Sequence, residues 1–412
     1  MRSTLMYARQ ILTIAFLALL ASPALAGGMD DFTLTKAIPA DAFIAVHARE
    51  HEGMDFVNKQ FGRIWEEIKK VRYDRDFKRL FKAIQREGLP PEAELEGFEE
   101  QWQQMYDLAT AVDWASLGKR EFAFAMKLGF PMPEHLLLFM PPADQVGESF
   151  EGLSGVAKTL VGLAPEQFQF STQEDGGTII HSISAIGAPF PVAFTLARSN
   201  DVILIGFGPT MPEQALALLR GEGEALAASE RFQAAFKKLP PPTDELTFFD
   251  LAKFFKQLRG VIDGAVAMAG AGAPLEGEEG YAEFQQWTAL PGKILNEFDI
   301  FDYMAVVVTT QDKLTTTDSY ALLRADAKSS GFYKVLTNNK PMDDPLKYIP
   351  AEAGEFFACS GPDLNALWQI IVRIIENDVP NGQEIMTKIR GLKEETGWDI
   401  EADLFGWIGG GM

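Results

Sequence analysis

The chain has 412 residues, 47% of them hydrophobic, with 31 phenylalanines and a single cysteine. It is long enough to bury a large apolar core, and it must do so without an internal disulfide. Its 58 acidic residues outnumber 37 basic ones, for a net charge of −21. Such a chain repels phosphate backbones and anionic lipid heads, which excludes nucleic acid as a partner.

The first 26 residues read as a signal peptide. Arg2 and Arg9 form a basic start, residues 11–21 are uniformly apolar, and Ala24-Leu25-Ala26 is a small-x-small cleavage site. The apolar run falls short of the roughly 20 residues that cross a bilayer. The expectation is a mature protein starting near Gly27, periplasmic or extracellular, without a transmembrane span. Losing two arginines brings its net charge to about −23.

Three later stretches share a plan: 36–48, 238–255 and 347–364. Each has proline close to an acid, then a short aromatic or β-branched run, then a helix-like segment. The first and third align best, with Lys36, Ile38, Pro39 and Asp41 matching Lys347, Ile349, Pro350 and Glu352. After the first stretch, Phe56, Phe61, Ile64, Trp65 and Ile68 recur at helical spacing, and a second helix follows Pro90-Pro91.

Strand pairs come next. Residues 121–128 and 135–140 flank a Gly/Pro turn. A meander of short strands, 168–172, 178–186, 191–197 and 201–207, carries turn chemistry at Asp175-Gly176-Gly177 and Ser199-Asn200. A helix starts at 211 with Pro212 in its first turn. Residues 303–310 and 313–323 form another pair, and 367–375 with 384–395 form a late helix pair. The short connections and polar alternation predict an α+β fold: antiparallel sheets with layered helices, built from repeated strand–helix–helix–strand–strand segments. The chain divides as a leader (1–26), an α+β segment with the meander (27–225), a second (226–340) and a third (341–412). The third stops where the next strand is expected.

The Ile38-Pro39-Ala40-Asp41 strand opening, residues 229–240 and residues 397–411 resemble an uncharacterised family of exported bacterial proteins carrying a domain of unknown function. The late segment of that family reads Gly-x-Asp, then Asp-Leu, then Gly-Gly, matched here by Gly397, Asp399, Asp403, Leu404, Gly409 and Gly410. The resemblance implies no activity, cofactor or catalytic residue.

The sharpest chemical motif is His47-Ala48-Arg49-Glu50-His51, an HxxEH pattern. In inverted zinc peptidases two histidines ligate zinc and the glutamate activates water, which requires a helix so that both histidines share a face. A third ligand is also needed, and Glu121 or Glu134 lies at a suitable separation. The motif runs straight out of a strand, so a polar strand-to-helix corner with two solvated histidines is the preferred reading. His135 and His181 read as sheet-face residues. Ser154 lacks the GxSxG elbow. The carboxylates at 92–100, Glu276, Glu278, Glu279, Asp299, Asp302, Asp343 and Asp344 read as solvated faces. The segment 206–210 follows a strand but lacks the basic residue of a phosphate loop. Phe249, Phe254, Phe255, Phe284 and Trp287 read as core before they read as a hydrophobic-ligand groove. Cys359 reads as a small buried hydrophobe.

These observations point to an exported, non-enzymatic binding or scaffold module with no cofactor, partnered by an envelope protein or a hydrophobic ligand. The alternatives are a zinc metallopeptidase using His47, Glu50 and His51, and a carrier of a hydrophobic ligand.

Overall fold

The computed structural model describes residues 29–49, 112–162, 164–187, 193–270, 274, 276–311, 314–338 and 362–397. The strands are β1 (Ile44–Arg49), β2 (Glu121–Lys127), β3 (Glu134–Met140), β4 (Phe168–Asp175), β5 (Thr178–Ala185), β6 (Ala193–Ser199), β7 (Val202–Phe207), β8 (Glu245–Phe249), β9 (Phe301–Gln311) and β10 (Leu314–Leu323). They join one sheet rather than several, in the order β10-β9-β8-β1-β2-β3-β7-β6-β5-β4. The fold is α+β, and the pairings from β8–β9 through β4–β5 are antiparallel.

β1 and β8, the strands of the first two proline–acid stretches, pair directly, with Ile44 opposite Phe249 and Ala48 opposite Glu245. From that seam the order runs outward as β1-β2-β3 on one side and β8-β9-β10 on the other. Most of the third stretch lies outside the described residues, so the expected repetition is not established there. The helices expected over 56–110, Cys359 and the late Gly-x-Asp segment after Gly397 also lie outside them.

The chain forms two compact units. The first holds Met1–Asp250 and Met304–Tyr320, the second Leu251–Tyr303 and Ala321–Met412. The sequence divisions follow the chain, whereas these units follow packing and interleave.

In the first unit, strand alternation sets two faces. Burial in β3 alternates strictly, with Glu134, Leu136, Leu138 and Met140 on the deeper face. On the opposite face, α2 (Val146–Gly162) places Phe150, Leu153 and Ala157 against Leu196 and Ile203. A short helix, α1 (Trp114–Leu117), is capped by Asp113 and adds Leu117 to that cluster. The Glu134 face is covered by two 3-10 turns, η1 (Met29–Asp31) and η2 (Thr33–Ala37), with α3 (Met211–Leu219) and α4 (Glu230–Phe236). Phe232 of α4 meets Phe248 of β8 at 5.2 Å between ring centres. A further 3-10 turn, η3 (Leu226–Ala228), is held to the N-terminal segment by a Pro39–Ala225 bridge and by the Leu226 amide on the Ile38 carbonyl, 2.8 Å.

The second unit contains α5 (Leu251–Gly270), α6 (Tyr281–Phe298), η4 (Ala327–Ser329), α7 (Gly331–Thr337), α8 (Leu364–Asp378) and α9 (Gly382–Thr396). Asp299 ends α6, where the helix dipole disfavours a negative charge. Its buried carboxylate is held by Arg259 at 2.7 Å and Arg324 at 3.0 Å. Asp299 is therefore an internal counter-ion and not one of the solvated carboxylates expected from sequence.

Candidate functional site

Polar residues gather where β1 ends and β2 and β8 begin. Arg49 lies opposite Glu121, and its amide donates to the Asp244 carbonyl at 2.9 Å. Its guanidinium meets Asp31 at 3.1 Å and lies over the Phe32 ring. One row further in, His47 is 0% exposed, so it is not the solvated histidine expected from sequence. Its Nδ1 is 3.7 Å from a Glu121 oxygen, and neither ring nitrogen makes a hydrogen bond among the described residues. Burial lowers its pKa, opposed by the neighbouring Glu121 carboxylate.

Glu121 is itself occupied. It accepts from the Thr33 amide at 3.0 Å, the Thr33 hydroxyl and the Leu34 amide at 2.7 Å. These are donors at the start of η2 that no earlier turn can satisfy. A buried imidazole beside a carboxylate so engaged has no reach to solvent, and this pair is a packing feature. Next to it, burial pushes Asp244 up to about 6 and Glu245 up to about 7. The Asp244 charge adds to the rise at Glu245.

Glu134, the other glutamate considered as a distant ligand, does the same work elsewhere. It accepts from the Thr210 amide at 2.9 Å, the Thr210 hydroxyl at 2.8 Å and the Met211 amide at 2.7 Å. A helix start is a natural anion site, and here the chain supplies its own anion. Lys127 balances the charge, 3.6 Å from Glu134 and 2.8 Å from Asp41. This explains residues 206–210. A Cβ on Gly206 would sit 2.6 Å from the Pro212 Cβ, and Gly208 has φ +110° with Glu134 packed on it. The two glycines let α3 close onto the sheet and let the carboxylate reach its start.

The remaining candidates fall into place as packing. His135 stacks on Phe124, and His181 stacks on Phe150 at 5.2 Å with a 3.0 Å contact to Thr172. The buried Ser154 hydroxyl donates to the Phe150 carbonyl one turn back, 2.7 Å. Phe249 lies in β8, edge-on to Phe43, while Phe254 and Phe255 ride on α5. Trp287 on α6 is 49% exposed. Of the HxxEH motif, His47 lies within β1, and Glu50 and His51 lie outside the described residues. No group of three or more His, Cys, Asp or Glu among the described residues could hold a metal ion. No helix among them is long and apolar enough to cross a membrane.

A cleft of about 660 Å³ opens in the first unit beside these elements, on the face covered by η2 and α4. Met29, Thr35 and Lys36 form one side, and Ala225, Ala227 and Ala228 around η3 form another. Gln233, Phe236 and Lys237 come from α4 and its C-cap, and Leu239, Pro241 and Pro242 complete the lining. The prolines have fixed φ and no N–H, so this wall is rigid and offers a ligand no backbone donor. The size lies within the roughly 300–1,000 Å³ of small-molecule sites, which are mostly apolar with a few polar groups. Periodicity could not reveal this cleft, because the Pro39–Ala225 bridge joins segments far apart in sequence. The visible signal was the triple proline at 240–242, which reads from sequence only as a strand opening.

A family described as "Protein of unknown function (DUF3352)" matches residues 166–412, and the chain belongs to it. This agrees with the resemblance drawn from the proline–acid opening and residues 229–240 and 397–411. No curated protein and no solved structure matches the chain.

Proposed function

We propose that this member of the family is an exported, non-enzymatic binding protein of the cell envelope, and that the cleft beside η2 and α4 is its ligand site. The observation that carries the reading is the cleft: about 660 Å³, walled by alanines, Phe236, Leu239 and two prolines. The buried glutamates support it from the other side. Glu121 and Glu134 have their oxygens taken by amides and hydroxyls at helix starts, so they hold the scaffold and are not free to move protons. The export part rests on the leader-like residues 1–26. The zinc alternative needs His47 on a helix, and β1 does not supply one.

Two measurements test this. N-terminal sequencing of the protein recovered from expressing cells should begin near Gly27; a retained leader in the cytoplasm would remove the envelope assignment. An uncharged apolar fluorophore, N-phenyl-1-naphthylamine, should brighten on mixing with the protein, and Ala227→Trp, which fills the cleft, should abolish the signal. No signal from a folded wild-type protein would overturn the binding reading.

A further inference from the structure

We infer that the cleft selects a single-chain fatty-acid carboxylate: an alkyl chain along the alanine and proline walls, with its anionic head between Lys36 and Lys237. The inference rests on the binding reading above and goes further by naming the ligand chemistry.

The first argument is charge. In a chain with 58 acids and 37 bases, the described residues lining the cleft include two lysines and no acid. Several other cations of this unit are matched internally, Arg49 by Asp31, Arg120 by Asp201, Lys127 by Asp41 and Arg231 by Asp250, while Lys119, Lys158, Arg198 and Lys238, none of them lining the cleft, make no ion pair among the described residues. Lys36 and Lys237 make no ion pair among the described residues. Two unmatched ammonium groups at an apolar cleft are complementary to one anion joined to an apolar body.

The second argument is the state of the other polar groups. The Thr35 hydroxyl already donates to the Phe32 carbonyl at 2.6 Å, and the Gln233 amide donates to the Ala227 carbonyl at 3.3 Å. Pro241 and Pro242 have no N–H to give. Gln233 keeps one amide N–H, and among the described lining residues the charged side-chain donors left for a ligand are the two ammonium groups. A sugar or a peptide would bury several polar groups without partners here, at a cost for each. An alkyl carboxylate has all its polarity in one head and leaves nothing unmatched. An anionic chain also fits a protein that repels extended anionic surfaces, because one head needs only two local cations.

The test is titration calorimetry on the folded protein, below micelle-forming concentrations, with hexadecanoate, hexadecanol and hexadecyltrimethylammonium. Hexadecanoate should bind once per chain, at least ten-fold more tightly than hexadecanol, with the cationic analogue weakest. A Lys36→Gln/Lys237→Gln variant, both positions being exposed and away from the core, should bind hexadecanoate no better than hexadecanol. Equal binding of acid and alcohol to the wild type, or a preference that survives in the double variant, would overturn the anionic assignment while leaving an apolar binding site. Failure of all three amphiphiles and of the uncharged fluorophore would overturn both readings. Ala227→Trp is the control for location: hexadecanoate binding that persists in it would place the ligand outside this cleft and refute the inference.

Discussion

Glu121 and Glu134 stand at opposite ends of one antiparallel hairpin, on the same face, and each closes the open amides of a helical turn. Glu121 takes the amides of Thr33 and Leu34, and Glu134 takes those of Thr210 and Met211. Each also takes the threonine hydroxyl. The first residue of a strand thereby fixes where a covering helix begins, across 76 or more positions of sequence.

Removing such a carboxylate strands buried donors. Glu134→Ala should lower unfolding free energy by about 2–4 kcal/mol, since two amides and a hydroxyl lose their acceptor and Lys127 loses a partner. Glu134→Gln, which keeps one acceptor oxygen, should cost less than Glu134→Ala. Urea titration of the three proteins checks both the size and the order.

Gly206 should tolerate no side chain. A Cβ there would stand 2.6 Å from that of Pro212, and α3 would have to lift from the sheet. Gly206→Ala should cost about 3 kcal/mol or more. Combining it with Pro212→Gly should recover part of the loss, because the obstructing ring is gone. Non-additivity in that double-mutant cycle is the diagnostic result.

Glu245 sets the alkaline side of stability. Its carboxyl is held up to about 7 in the folded protein, from an ordinary 4.5. The folded state therefore binds more protons than the unfolded state between those values. Its contribution is fully present below about pH 4.5 and is lost as pH rises through 7. Glu245→Gln should raise stability at pH 8 by about 1–3 kcal/mol and change little at pH 4.5. Melting temperatures across that range test it; a constant difference at all pH values would refute it.

His47 sets the acid side with the opposite sign. Burial keeps its imidazole neutral below its ordinary 6.5. The unfolded chain then binds the extra proton, so stability is full above 6.5 and falls as pH drops below it. His47→Leu removes an imidazole without hydrogen bonds and should be neutral or stabilising at pH 7.5. It should also blunt the fall between pH 6.5 and pH 5. If His47→Leu melts with the same acid limb as the wild type, the limb belongs to another group.

Much of the fold could be read from the chain because its signals are local. Alternation in 178–186 and 201–207, with Asp175-Gly176-Gly177 and Ser199-Asn200 between strands, located β5 to β7 within a residue or two. Pro212 marked the start of α3. What could not be read was long-range. Nothing at position 134 signals that its carboxylate ends on Thr210. Nothing at 225 signals its bridge to Pro39. His47 reads as solvated because its position is polar by type, while burial is decided by Phe32 and the turns folded over it. The cleft has the same origin, since its walls come from residues 29–36 and 225–242.

The seam between β1 and β8 also governs assembly. Ile44 finds Phe249 only after two hundred intervening residues have been made, and closing so wide a loop is slow. Until that moment β1 has one free flank, a template for pairing with a neighbour. A nascent chain halted before Glu245 would thus be sticky along His47 and Val46, and a chain carried past Phe249 conceals that flank itself.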